Sequence, residues 1–302
     1  MGFVESKTEF TSNERDDSVE EVRVNELGTP IDFLRCPTDR HYNKRGYDLH
    51  VKCCYADGNM ESVVEAIHDH LYSLLGHHTK FRLDRDVDGS ENFLPRLRQI
   101  QRMINFLQHT DDSESTKFEE FLSASTCLEY YSHYDSSRES TKVKENSKFY
   151  DIDTVEVGVG DGLLEAGLLK HFNGRHVFLK RSREVPPEDV VQFLKTWMLG
   201  EKFRNLEVFC METYDKTWDV RKSVYFKILN TEVVYPFIRK FKFNDDNKWS
   251  SDVPCEFKSS LYIVRESDGH VASLMFQDQT VMVGVWNMTE SEFLEKFQKD
   301  DT

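Results

Sequence analysis

The chain has 302 residues and a formal charge of −15, because 39 Lys and Arg stand against 54 Asp and Glu. This length can build one large domain or two modest ones, and the hydrophobic fraction of 38% fits a soluble globular protein. A phosphate backbone would be repelled by the average field of such a chain, which argues against a nucleic-acid partner. No apolar run approaches the roughly 20 residues that span a bilayer. We expect an intracellular protein, cytoplasmic or nuclear, with no membrane partner.

Two polar stretches divide the chain. Residues 1–21 are rich in acidic side chains and poor in apolar ones, which predicts a disordered tail. Residues 132–148 are rich in Ser, Glu and Lys and predict a loop or linker. We therefore expect an N-terminal α/β part over residues 22–131 and a second α/β domain over residues 149–302.

The N-terminal part predicts a helix, a strand and a second helix. MESVVEAIHDHLYSLLG places its apolar residues on one helical face, with Gly76 at its end. KFRLDR follows as a short strand, and FLPRLRQIQRMINFLQ is predicted as an amphipathic helix. Upstream of these, Val51, Cys53 and Tyr55 alternate as in a strand. The six cysteines of the chain show no CxxC spacing, so no zinc ribbon or redox pair is predicted.

After the linker, short strands alternate with helices. The strands are TVEVGV, RHVFLKR and NLEVFCM, and the helices between them are LLEAGLLKHF and PPEDVVQFLKTWML. This order implies right-handed crossovers and a largely parallel sheet. Val155, Val177 and Val208 mark strands at a spacing near that of leucine-rich repeats, although it is irregular. An ordinary α/β domain and a short, degenerate, curved repeat array both remain open.

The C-terminal region predicts an antiparallel three-stranded meander. Asp268-Gly269 is a pair that two-residue hairpin turns favour, because both residues tolerate positive φ. Pairing outward from that turn sets Arg265 opposite Ala272, Ile263 opposite Leu274, and Leu261 opposite Phe276. Gln277–Gln279 predicts a second turn, into a strand from Thr280 to Trp286. Such a sheet is stable only when it packs on something else, so we expect it to close the α/β array.

One glycine-rich stretch suggests an enzymatic alternative. TVEVGVGDGLL places Glu156, Gly158, Gly160 and Gly162 as in the first motif of S-adenosylmethionine-dependent methyltransferases. That fold needs an acid at the tip of the next strand to hold the ribose hydroxyls. The next strand instead ends in Lys180-Arg181-Ser182-Arg183, which we predict as a solvated strand end. A plain strand-to-helix turn is therefore favoured over a cofactor site.

No catalytic, cofactor-binding or metal-binding residue is predicted elsewhere. His68 and His70 on the first helix point about 160° apart at 100° per residue, so they cannot share a metal ion. His77 and His78 follow the end of that helix, where a partly protonated imidazole suits the helix dipole. Trp197 shares an apolar face with Val190, Leu194 and Met198, and we expect it to be a core anchor.

Two segments taken together resemble a known family. They are RHVFLKRSREVPPEDVVQFLKTWMLGEKFRNLEVF and LYIVRESDGHVASLMFQDQTVMVGVW. Their order and spacing resemble the F-box-associated domain, type 2, of the nematode F-box protein family, from about Asp151 to Trp286. The matching positions are Phe193-Leu194-Lys195, Trp197, Leu206, Ile263, Arg265, Asp268-Gly269, Ala272 and Trp286.

The resemblance implies a non-enzymatic protein-interaction module, similar to the substrate-recruiting region of F-box proteins. Its partner would be a target protein of unknown identity, and no cofactor is implied. Family members usually begin with an F-box, a helical module that docks on the Skp-type adaptor of cullin ubiquitin ligases. Residues 1–61 show no three-helix pattern, and PIDFLRCPTDRHY carries only a hint of that module. We therefore expect no direct adaptor binding.

Overall fold

The structure is a computed structural model that divides into two compact units, residues 1–129 and 130–302. It describes residues 3–5, 20–21, 32–35, 50–54, 60–76, 81–84, 97–104, 112–125, 127–134, 143–158, 162–182, 185–213, 220–236, 256–277 and 279–298. Helices and sheet strands are both present, so the fold is mixed α/β.

The first unit begins with a small sheet in the order β1-β4-β3-β2. Its strands are β1 (Phe3–Glu5), β2 (Glu20–Glu21), β3 (Asp32–Arg35) and β4 (His50–Cys54). β1 runs parallel to β4, while β3 runs antiparallel to β2 and β4. β1 and β2 lie within residues 1–21, the stretch that the sequence predicts as a disordered tail. Phe3 and Val4 of β1 lie opposite His50 and Val51 of β4.

The same unit continues with α1 (Met60–Leu75), β5 (Phe81–Asp84), β6 (Ile100–Ile104) and α2 (Asp112–Ala124). The predictions of α1 and β5 are confirmed. The helix predicted around FLPRLRQIQRMINFLQ is wrong, because its middle forms β6, which pairs parallel to β5. Ile100 and Met103 of β6 are fully buried, and pairing with a neighbouring strand overrides a weak helical period.

The second unit contains β7 (Tyr130–Tyr134), β8 (Thr154–Gly158), α3 (Gly162–His171), β9 (His176–Ser182), α4 (Pro187–Leu199), β10 (Val208–Thr213), β11 (Lys227–Pro236), β12 (Glu256–Val264), β13 (His270–Gln277), β14 (Thr280–Thr289) and α5 (Glu290–Phe297). Its strands form one sheet in the order β11-β12-β13-β14-β10-β9-β8-β7. β7 to β10 are parallel, and the remaining pairs are antiparallel. β7 includes the first three residues of the stretch 132–148, which the sequence predicts as a loop or linker.

Helix α4 covers one face of this sheet. Pro187 lies in its first turn, and the helix ends at Gly200, whose φ of +74° suits the left-handed region. Phe193 packs on Phe209 of β10, with ring centroids 4.7 Å apart. Trp197 is 1% exposed, which confirms the predicted core anchor. The Arg265 guanidinium lies 5.2 Å from the centre of its ring.

The β12–β13 hairpin has a different register from the predicted one. Leu261 lies opposite Leu274 and Ile263 opposite Ala272, a shift of two residues. The physical reason is a wider loop, in which the Arg265 amide donates to the His270 carbonyl at 2.8 Å. The Arg265 side chain also holds the Asp268 carboxylate from within this loop. Because the shift is even, every residue stays on its predicted face.

The opposite face of β10 to β14 holds an aromatic core. Tyr235, Trp286 and Phe293 belong to it, together with Tyr262 and Phe257. The Tyr235 ring lies directly on Gly284, where an added Cβ would fall 2.5 Å from the ring, so only glycine allows this approach. Helix α5 begins with a capping box of Thr289 and Glu292 and buries Phe293 in this core.

Candidate functional site

The glycine-rich stretch forms the predicted strand and helix on either side of its turn. β8 ends at Gly158 and α3 begins at Gly162, while Gly160 lies outside the described residues. Glu156, the acid of the candidate motif, is in the interior of the sheet, with its side chain 1% exposed. Its carboxylate therefore does not stand open at the strand tip, where a cofactor would need it.

Glu156 belongs to a buried ionic cluster, formed with Tyr130 and Lys180. The Lys180 Nζ lies 2.6 Å from Glu156 Oε1, and the Tyr130 hydroxyl donates to Oε2 at 2.8 Å. The three residues come from the adjacent parallel strands β7, β8 and β9. A buried carboxylate is stable only when it is paired and hydrogen-bonded, and these contacts supply both conditions. The cluster therefore ties three strands together.

The basic run at the end of β9 is partly buried, since Lys180 and Ser182 are buried and Arg181 is half-buried, which corrects the prediction of a solvated strand end for these residues. Lys180 is 8% exposed because its ammonium group is paired with Glu156. The Ser182 hydroxyl donates to Glu165 Oε2 of α3 at 2.7 Å, and both residues are buried. Arg183 lies outside the described residues. The sequence could not reveal this burial, because both acidic partners are distant along the chain.

A second polar chain joins the starts of the parallel strands. His176 Nδ1 lies 2.9 Å from Thr154 Oγ1, and its Nε2 lies 3.2 Å from Glu207 Oε2. Arg175 next to it forms two hydrogen bonds with Asp153, at 2.5 and 2.6 Å. Burial lowers the pKa of His176, and Glu207 opposes that shift. The hydrogen bonds that Arg175 donates to the Asp153 carboxylate raise the pKa of Arg175 above its usual range.

Thr154, His176 and Glu207 are residue types that also occur in hydrolytic triads. A nucleophile must reach its substrate, however, and Thr154 is only 6% exposed. The three residues also lie at the amino ends of β8 to β10, whereas open parallel sheets bind ligands beyond the carboxyl ends. Their geometry therefore suits a clamp between strand starts better than a catalytic centre.

The histidines of α1 do not assemble a metal site. His68 is buried, and its Nε2 accepts a hydrogen bond from the Arg98 amide at 3.0 Å. Burial lowers the pKa of His68. His70 is exposed, and His77 and His78 lie outside the described residues. Within the described part of the chain, no group of three His, Cys, Asp or Glu side chains could hold a metal ion.

Among the described residues of the second unit, β11 carries two exposed apolar side chains on one face. Along this strand the odd-numbered residues face the core and α5. Leu229, Val233 and Tyr235 belong to the aromatic core. Lys227 Nζ pairs with Glu290 of α5 at 2.6 Å, and Thr231 donates to the Phe297 carbonyl at 3.2 Å.

The even-numbered residues of β11 face the other way, because side chains alternate along a strand. We call this surface the outer strip. It consists of Ile228, Asn230, Glu232 and Val234 of β11, with Lys258 of β12 opposite Val234. Ile228 is 68% exposed and Val234 is 42% exposed. β11 is the last strand on its side of the sheet among the strands that the structure describes.

Comparisons with protein-family models, with curated proteins and with solved structures found no match to this chain. Among the described residues, no helix has the length and apolar character needed to cross a membrane. The sequence motifs point to the glycine stretch and the histidines but not to the outer strip. The alternation in KILNTEVVYP, with Leu229, Val233 and Tyr235 on one side, is the signal that could have revealed it.

Proposed function

We propose that this chain is a non-enzymatic protein-interaction module, with the outer strip as its contact surface. The observation that carries the proposal is the exposure of Ile228 and Val234 on a strand at the edge of the described sheet. Apolar side chains that are exposed on a strand at the edge of a sheet are typical of surfaces that contact another chain. Tyr225, which is 78% exposed, lies just before the same strand.

The proposal also extends the resemblance to the F-box-associated domain. In that reading, β7 to β10 with their helices form a degenerate array similar to leucine-rich repeats, and β12 to β14 form its terminal meander. The consecutive order of the four parallel strands supports such an array, as does the antiparallel pairing of β12, β13 and β14 in chain order. The module would recruit a target protein, as the substrate-recruiting region of an F-box protein does.

The test is a comparison of proteins captured from the chain's own cells. The double variant Ile228→Asp, Val234→Asp should lose the proteins that cross-link to the wild-type chain. Leu199→Asp is the matched control, because Leu199 is also an exposed apolar residue, 49% accessible, but lies on α4. It should retain them. Recovery of the same proteins with all three chains, by mass spectrometry, would contradict the proposal.

A methyltransferase is the alternative, and one observation favours it: β8 and α3 flank the glycine stretch as a cofactor-binding turn requires. The burial and pairing of Glu156 weigh against it. Calorimetric titration with S-adenosylmethionine separates the two functions. We expect no binding heat for the wild-type chain or for Glu156→Gln. Micromolar binding that disappears in the variant would establish the cofactor site and overturn the interaction module.

A further inference from the structure

We infer that the occupant of the outer strip is a second copy of this chain, related to the first by a two-fold axis. This inference rests on the proposed function and names the partner of the same surface. It follows from the arrangement of charge and apolar groups on the strip.

The strip carries one acid and one base. Glu232 and Lys258 are both exposed. Lys258 lies opposite Val234, and Glu232 lies two residues before Val234 on β11, where the pairing of β11 with β12 is irregular. Neither side chain forms an ion pair with any other described residue. A partner with an excess of either sign would therefore leave one of the two charges facing a like charge.

A second copy meets both charges. In a two-fold contact, a residue of the first copy faces a defined residue of the second copy. The same two residues with the copies exchanged form an identical contact. Glu232 of each copy can then lie against Lys258 of the other copy. The dimer therefore contains two contacts between opposite charges. The strip is complementary to itself in sign.

The apolar groups fit the same arrangement. Ile228 and Val234 flank Glu232 along the outer side of β11, so a face-to-face contact buries the apolar side chains of both copies around the charges. The net charge of −15 on each copy opposes association over longer distances. The match of opposite charges between two strips acts at short range and favours self-association through this face.

The decisive experiment exchanges the charges one at a time. Glu232→Lys leaves two bases on the strip, and Lys258→Glu leaves two acids. Sedimentation equilibrium of the full chain, over a wide range of concentrations, should show a dimer for the wild type. Each single variant should dimerise about tenfold more weakly, because two favourable contacts become two contacts between like charges.

Mixing provides the matched control. An equimolar mixture of Glu232→Lys and Lys258→Glu should recover the wild-type association, since the strip with two bases then faces the strip with two acids. The double variant Glu232→Lys, Lys258→Glu should also dimerise as the wild type does. Both positions are exposed, so thermal melting should confirm that all variants remain folded.

Three results would overturn the inference: a wild-type chain that stays monomeric throughout, a dimer that ignores the exchanges, or a mixture no stronger than its components. A monomeric chain that still loses its captured proteins in the Ile228→Asp, Val234→Asp variant would leave the proposed function standing with a different protein on the strip. If that variant captures the same proteins as the wild-type chain, the proposed function itself is wrong. The two failures are therefore distinguishable.

Discussion

Trp197 shows how one side chain connects three parts of the second unit. It lies on α4, its indole ring is 1% exposed, and the Arg265 guanidinium from the β12–β13 hairpin lies 5.2 Å from its ring centre. Arg265 also donates to the Asp268 carboxylate and to the Arg204 carbonyl. The hydrogen bonds from Arg265 lower the pKa of Asp268 to about 2. Helix, hairpin and the connection to β10 thus meet around one aromatic ring.

Trp197→Ala should lower the free energy of unfolding by roughly 3 to 5 kcal/mol, because it removes a buried aromatic side chain and leaves a cavity. This loss is a large part of the free energy of unfolding of a typical protein, which is roughly 5 to 15 kcal/mol. Urea denaturation measures the loss. Lys195→Ala, at an exposed position of the same helix, is the control and should change stability by less than about 0.5 kcal/mol. A Trp197→Ala chain with unchanged stability would contradict the burial.

His176 predicts a dependence of stability on pH. Burial lowers its pKa in the folded chain, while Glu207 and Asp153 oppose that shift and Arg175 adds to it. The unfolded chain, with a His pKa of about 6.5, therefore binds the proton first as the pH falls. Neutral His176 therefore makes its full contribution to the free energy of unfolding above about pH 6.5. This contribution decreases as the pH falls from about 6.5 towards the lower pKa that His176 has in the folded chain.

His176→Gln should reduce the loss of stability below about pH 6.5, because the amide can still contact Thr154 and Glu207 but does not titrate. Unfolding at a series of pH values measures the slope. Some slope should persist, since burial also lowers the pKa of His68. His70→Gln is the control at an exposed histidine and should leave the slope as it is. A slope identical in His176→Gln and the wild type would refute the assignment.

The parallel strands β8 and β9 are joined by two charged side chains that lie far apart in the sequence. Glu156 of β8 and Lys180 of β9 meet only because register places Gly158 opposite Lys180. The Tyr130 hydroxyl completes the contact from β7. A pair of this kind confers stability only while both partners are present, because a single buried charge has no compensation.

Lys180→Met should therefore destabilise the chain by about 3 to 5 kcal/mol, since it leaves the Glu156 carboxylate buried without its cation. The double variant Glu156→Gln, Lys180→Met removes both charges and should recover most of the loss. Chemical denaturation of the wild type, of the single variants Glu156→Gln and Lys180→Met, and of the double variant gives the coupling energy. Additive effects of the two changes would mean that the side chains do not interact.

The elements also show what a local pattern can predict. α1, α4 and the strands β8 to β10 have strong periodicity or clear end signals such as Pro187 and Gly200, and the sequence predicts them. β6 contradicts the prediction of a helix, because the spacing of apolar residues in this segment does not reveal its pairing with β5. The hairpin register is off by two residues, since the Arg265 side chain shapes the loop through Asp268.

The candidate site was harder to predict for the same reason. The outer strip can be identified only when β11 is known to lie at the edge of the described sheet. The contacts of Lys227 and Thr231 with α5 are also needed, because they show which side of β11 faces the core. The buried partners of Lys180 and Ser182 are likewise set by strand register and by helix packing. The sequence contains each residue type but not these distances.

A connection of the proposed module to a ubiquitin ligase would require an F-box in the same chain. Adaptor docking by an F-box requires a packed helical module near one end of the chain. The described residues before α1 lie in β1, β2, β3 and β4, which form a small sheet. Pro30 and Pro37 interrupt helical periodicity in the segments around β3. The part of this region that the structure describes is therefore extended strand rather than helix.

We accordingly expect that the purified chain does not bind a Skp-type adaptor directly, even if its second unit holds a target protein. Size-exclusion chromatography of the two proteins mixed at micromolar concentration tests this, with an F-box protein of known adaptor binding as the positive control. The chain and the adaptor should elute separately, because strands β1 to β4 offer no helical face for the adaptor's groove. A stable complex in one peak would contradict this reading. Repeating the mixture with residues 1–61 deleted would then show whether a degenerate F-box in that region makes the contact.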